Sequence, residues 1–189
     1  MKKINMNLPN KLTMLRVLMI PFFVLFMLAP FAQNRAGSIV AFILFVVASL
    51  TDTLDGMIAR RNNLVTNFGK LMDPLADKLL VCSALICFVA LDRLPAWIVI
   101  IIIAREFIIS GFRLIAAEQG VVIAANYWGK FKTVSQMVMT ALLILHLGDN
   151  NHAFRVLEII FICLATVLTV VSLADYIWKN RDLILSGGI

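Results

Sequence analysis

Six apolar stretches, most of them long enough to cross a lipid bilayer and divided by short polar breaks, constrain this chain more than any other feature. They run Leu12–Ala29, Gly37–Arg60, Asp73–Leu91, Pro95–Ala117, Thr133–Leu147 and Phe154–Lys179. A helix needs roughly 20 mostly apolar residues to span the hydrocarbon core. In lipid, only helices and closed barrels satisfy every backbone amide internally. Of the 189 residues, 61% are hydrophobic and 15% charged, where soluble domains run near half and a quarter. So much apolar surface in so short a chain has no single soluble core to hide in. The pattern predicts an all-α polytopic membrane protein, a bundle of about six transmembrane helices in one domain over residues 1–189. Before Pro9, Ile4, Met6 and Leu8 alternate with polar residues, which predicts a short interfacial segment. Lys2 and Lys3 ahead of Leu12–Ala29 look like a signal peptide, but no small-x-small cleavage site follows, so this stretch reads as a retained first helix.

Loop charge predicts the orientation. One set of connections holds Lys2, Lys3, Lys11, Arg60, Arg61, Lys70, Lys130, Lys132, Lys179 and Arg181; the other holds only Arg35, Arg93 and Arg155. The positive-inside rule then puts both termini, and the connection from Arg60 to Lys70, in the cytoplasm. The same bias accounts for the net charge of +6 without a nucleic-acid partner. Cys82, Cys87 and Cys163 show no CxxC or Cys/His spacing, which argues against structural zinc and a disulfide framework.

The second and third stretches carry acids where apolar residues belong. Asp52, Asp55, Gly56 and Ala59 fall within about a third of a helix circumference at about 100° per residue. Gly69, Asp73 and Asp77 recur at intervals of four and form a second stripe. The apolar run after Lys78 reaches only Leu91, so Asp73 and Asp77 sit near membrane depth at the cytoplasmic side. Two carboxylate pairs on neighbouring helix ends repel each other, and an ion facing hydrocarbon is costly. Pairing with Arg60, Arg61 and Lys78 is one remedy. A bound hard cation, Mg²⁺ or Mn²⁺, held by oxygen ligands and completed by substrate phosphates, is the better one. Gly56 and Gly69 would let a ligand approach the backbone closely.

The run Asp52-x2-Asp55-Gly56-x2-Ala59-Arg60-x8-Gly69-x3-Asp73-x3-Asp77 resembles the signature of the CDP-alcohol phosphotransferase family at every fixed position. Asn7–Asn10 with Thr13 and Arg16 resembles the family's amino-terminal lead-in. Ala104–Phe107, Gly111-x-Arg113 and Gly129-Lys130-x-Lys132-Thr133 resemble the bacterial branch that makes phosphatidylglycerophosphate. The resemblance implies transfer of a phosphatidyl group from CDP-diacylglycerol to an alcohol, with release of CMP, by a homodimer in the bacterial cell membrane with its active site cytoplasmic. It also implies that Asp52, Asp55 and Asp73 bind metal, and that Asp77 completes the metal site and acts as general base. Gly56, Ala59 and Gly69 would line the cytidine pocket, while Arg60, Asn10, Thr13 and Arg16 would help hold the diphosphate.

The acceptor is read from cations in unusual places. Arg105 and Arg113 interrupt the fourth stretch, and Glu106, Ser110 and Arg113 share a helix face. Lys130 and Lys132 open the fifth. Ordinary explanations exist for each: Glu106 in an internal ion pair, the lysines as topological anchors. Taken together, Arg105, Arg113, Lys130 and Lys132 favour a doubly charged acceptor, because Arg offers planar paired donors to phosphate. Glycerol 3-phosphate fits better than serine, inositol or choline. The alternatives are an enzyme of the same fold acting on phosphatidylglycerol, and a cation-coupled transporter whose intramembrane acids mark a pathway. Trp97, Tyr127, Trp128, Tyr176 and Trp178 lie near stretch ends and read as an interfacial aromatic belt.

Overall fold

Among the described residues there are six α-helices and no strand: α1 (Leu8–Leu28), α2 (Arg35–Arg61), α3 (Asn67–Ala90), α4 (Ala96–Glu118), α5 (Tyr127–Leu145) and α6 (His152–Lys179). The computed structural model describes residues 8–61, 67–118, 127–146 and 151–181, with side chains at 11–51, 75–116, 127–146 and 151–181. The expected interfacial segment before Pro9 lies almost wholly outside the described residues; its last member, Leu8, opens α1.

Each apolar stretch became a helix, and the differences fall at the polar ends. α3 begins six residues before Asp73, and α5 begins at Tyr127 rather than Thr133. Hydropathy stops at a charge, whereas a helix continues wherever that charge finds water or a partner. Lys132 finds one in Glu106, and Lys130 remains exposed. Local signals set other ends. Asn151, in extended conformation, accepts from the Ala153 amide at 2.9 Å and starts α6, as an N-cap does. Asn34 Oδ1 accepts from the Gly37 amide at 2.8 Å in the first turn of α2. Pro21 lies inside α1 without ending it, which membrane helices tolerate.

The helices form two compact units, residues 1–91 and 92–189. In the first, α1 packs along both α2 and α3. Phe23 and Phe45 meet with ring centroids 6.0 Å apart at 44°, and Ile20, Met27, Leu80, Leu85 and Phe88 fill the remaining core. Ala41, Ala48, Ala76 and Ala84 are buried at the contacts, where small side chains let membrane helices approach closely. A 3₁₀ turn, Pro30–Ala32, links α1 to α2. It lies so near α2 that a Cβ on Gly37 would stand 1.8 Å from the Ala32 carbonyl oxygen. Only glycine fits that approach.

In the second unit α6 packs on both α4 and α5. Its buried residues, Glu158, Ala165, Thr169, Ser172 and Tyr176, are spaced by seven, four, three and four, a single stripe turned to its neighbours. At one end, Arg93 Nη1 donates to the Leu143 carbonyl at 2.8 Å, which satisfies one of the last orphan carbonyls of α5.

The outward surface is apolar. Leu18, Phe22, Ile43, Leu50, Ile86, Ile100, Phe131, Val134 and Val167 are exposed, far more than a soluble monomer displays. α1 and α6 are long and apolar enough to cross a bilayer, and only 28% and 22% of their apolar windows are buried. Helices so bare are not the core of a soluble protein. Their solvent is lipid, and the chain is an all-α membrane protein.

Candidate functional site

The motif acids are placed by helix position. Asp52 and Asp55 lie in the last three turns of α2, and Asp73 and Asp77 in the first three turns of α3. Residues 62–66 are all that separates the two helices, a length that reaches roughly 20 Å at most. The two pairs therefore belong to one end of the first unit. The side chains of Asn10, Asp52, Asp55, Gly56, Ala59, Arg60, Gly69 and Asp73 lie outside the described residues. Asp77 is exposed, one residue past the fully packed Ala76. Four carboxylates with no nitrogen or sulfur donor among them suit a hard divalent cation in donor chemistry.

Thr13 and Arg16 are both fully buried. Arg16 Nε donates to the Ala48 carbonyl at 3.2 Å. That ties α1 to α2 one helical turn before Asp52.

The second unit holds a cavity of about 420 Å³ lined by Arg105, Glu106, Arg113, Lys130, Ser172 and Tyr176, with Ile109, Gly129, Thr133 and Val134 completing the wall. Three cations against one carboxylate give it a positive lining, which suits an anion. Its inner part is buried: Arg105 is 8% exposed and Tyr176 4%. Arg113 and Lys130 are exposed at its mouth, with Lys130 Nζ 5.4 Å over the Tyr127 ring.

A connected set of side chains holds the inner part. Arg105 Nε donates to Ser172 Oγ at 3.1 Å and Nη1 to Glu106 Oε1 at 3.0 Å. Ser172 in turn donates to the Thr169 carbonyl at 3.0 Å. Lys132, 1% exposed, gives its ammonium to the same Glu106 oxygen. Gly129 leaves room for the rest: a Cβ there would stand 3.3 Å from Arg105 Nη2.

Of the four cations grouped from sequence, the cavity therefore gathers Arg105, Arg113 and Lys130, while Lys132 stands behind Glu106 and fixes it. Gly111 has open space around it, and Ser110 bonds its own helix at the Glu106 carbonyl. Tyr176 is a correction. Its position near the end of a stretch suggested an interfacial belt, but the phase of α6 turns it inward. Ser172 went unnoticed for a similar reason. The signal was present in the polar spacing Thr169, Ser172, Tyr176 on an otherwise apolar helix.

An apolar helical chain with a cation-lined cavity in one unit and an acidic helix pair in the other carries the groups expected of a membrane enzyme for phosphate-containing substrates. The chain belongs to the CDP-alcohol phosphatidyltransferase family, whose model matches residues 6–171. It is 46% identical to a Bacillus subtilis protein named CDP-diacylglycerol–glycerol-3-phosphate 3-phosphatidyltransferase, over 93% of this chain and 96% of that one. It is 38% identical to a probable phosphatidylglycerophosphate synthase of Mycobacterium tuberculosis, over 97% and 85%. A Haemophilus influenzae protein with the first of these names is 36% identical over 95% and 96%.

Proposed function

We propose that the protein transfers the phosphatidyl group of CDP-diacylglycerol to glycerol 3-phosphate, giving phosphatidylglycerophosphate and CMP. The observation that carries the acceptor is the cavity in which Arg105, Arg113 and Lys130 converge. Such a cation set rewards a phosphate dianion and gives a neutral alcohol little. The names of the relatives, at up to 46% identity, support the same substrates. Family membership sets the transporter reading aside. Because the family match runs through both compact units, residues 1–189 are taken as one functional domain.

In the reaction, an acceptor hydroxyl oxygen forms a bond to the phosphatidyl phosphorus, and the phosphorus–oxygen bond to CMP breaks. Asp77 takes the hydroxyl proton as general base. Asp52, Asp55, Asp73 and Asp77 would hold Mg²⁺ or Mn²⁺. A divalent cation, when bound, neutralises charge on the diphosphate and stabilises departing CMP. Gly56, Ala59, Arg60, Gly69 and Asn10 belong to the CDP end of the site. Thr13 and Arg16 support it from within the helix packing. Arg105, Arg113 and Lys130 hold the acceptor phosphate, and positioning of this kind supplies much of the rate in phosphoryl-type transfer. The lysine and arginine bias of the connections supports cytoplasmic termini and a cytoplasmic active site in a bacterial plasma membrane. The family resemblance supports a homodimer.

The test is CMP release by purified protein given CDP-diacylglycerol and one acceptor at a time. Glycerol 3-phosphate should turn over far faster than glycerol, serine or inositol. Equal or faster turnover with phosphatidylglycerol would move the assignment to the lipid acceptor. No CMP with any alcohol would end the phosphatidyl-transfer reading.

A further inference from the structure

The inner polar groups of the acceptor cavity are held by one another, and one of them has no acceptor for its proton. Arg105 donates to Ser172 and Glu106, Ser172 donates a hydrogen bond to the Thr169 carbonyl, and Glu106 is held by Arg105 and Lys132. The Tyr176 hydroxyl is buried and its O–H meets no acceptor; the Arg113 guanidinium reaches its oxygen, but only as a donor. The ring cannot easily turn away. Phe112 packs against it with centroids 6.3 Å apart at 39°, and the residue is 4% exposed. A buried hydroxyl proton left without an acceptor is costly. The guanidinium and ammonium groups around it carry only donors, so none can accept its proton.

From this we infer that Tyr176 is a specificity-determining residue that donates its phenolic hydrogen bond to a phosphate oxygen of the acceptor. The inference rests on the acceptor-cavity reading above. A phosphate dianion is the group able to accept from Arg105, Arg113, Lys130 and the tyrosine at once. A neutral donor also adds a hydrogen bond without adding a further cation to a crowded set. The unsatisfied hydroxyl is thus a preorganised contact, costly in the empty protein and satisfied when the acceptor arrives.

Tyr176→Phe tests this in the full-length protein, because it removes one oxygen and keeps the ring against Phe112. A structural tyrosine and a ligand-binding one give opposite signatures. Loss of a ligand contact should raise KM for glycerol 3-phosphate by about 10-fold or more. KM for CDP-diacylglycerol should not move. Inhibition by inorganic phosphate should weaken in the same proportion, and thermal stability without acceptor should be unchanged or improved. Lower thermal stability with both KM values altered alike would overturn the inference in favour of a packing role. A raised acceptor KM with phosphate inhibition unchanged would overturn the assignment to phosphate. An unchanged acceptor KM in Tyr176→Phe, with Arg113→Ala and Lys130→Ala raising it, would remove Tyr176 and leave the cavity as the acceptor site. Unchanged values in all three variants would remove the cavity itself.

Discussion

Glu106 on α4 and Lys132 on α5 form an ion pair in which the lysine side chain is 2% exposed and the glutamate 23%. The same carboxylate oxygen also receives Arg105. Removing one partner of a buried pair strands the other charge, at about 3–5 kcal/mol. The partial exposure of Glu106 puts its loss at the lower end, about 3 kcal/mol. Glu106→Gln should therefore lower the melting temperature of the detergent-solubilised protein clearly, whereas Arg113→Ala, at the cavity mouth, should barely change it. Lys132→Met combined with Glu106→Gln should recover part of the loss, because both charges are then gone. Equal melting temperatures for Glu106→Gln and wild type would show that the pair carries no stability.

Acceptor handling and chemistry should separate in steady-state kinetics. Arg113→Ala and Lys130→Ala each remove a charge-assisted contact worth on the order of 1.5–3 kcal/mol, equivalent to roughly 10- to 150-fold in KM for glycerol 3-phosphate. Asp77→Asn removes the base and should depress kcat while leaving both KM values near wild type.

Metal dependence follows from the acidic helix pair. EDTA should abolish CMP release, and added Mg²⁺ or Mn²⁺ should restore it. Asp→Asn at position 52, 55 or 73 should each cost orders of magnitude in activity, since the carboxylates act as one ligand set. Full turnover in EDTA would exclude the cation.

Gly37→Ala should destabilise the first unit. Its Cβ would meet the Ala32 backbone oxygen at 1.8 Å, and backbone cannot swing aside as a side-chain end can. Overpacking of this kind costs about 3 kcal/mol, enough to lower the melting temperature by several degrees. Gly111→Ala, with open space around the glycine, is the matched control and should be nearly silent.

Orientation can be read by labelling. In a variant with Cys82, Cys87 and Cys163 replaced, Asn63→Cys should react with an impermeant thiol reagent only after the cells are opened. Labelling from outside intact cells would reverse both the orientation and the side on which the acidic helices lie.

Hydrophobic length alone determined that this chain is a helical membrane protein, since the cost of exposing backbone amides to lipid leaves few alternatives. The aspartate spacing likewise pointed to a hard cation, because carboxylates at helical intervals share a face whatever the helix packs against; the diphosphate substrate came from the motif's resemblance to the CDP-alcohol phosphotransferases. Helix ends were less legible. Hydropathy along one segment cannot register a partner on another, and so it begins the fifth stretch at Thr133, whereas α5 begins at Tyr127 and Lys132 within it pairs with Glu106.

The inside of the acceptor cavity was decided by tertiary structure. Arg105, Glu106, Lys132 and Tyr176 are all visible in sequence as polar residues in apolar surroundings, but their roles depend on the rotation of α4, α5 and α6 about their own axes. A turn of about 100°, one residue, separates a lipid-facing position from a buried one. That rotation sends Tyr176 inward rather than to the membrane surface, and it commits Lys132 to a carboxylate rather than to the cavity. It also brings Ser172 to the Arg105 guanidinium. The chain encodes which groups are available, and the packing of three helices selects which of them meet.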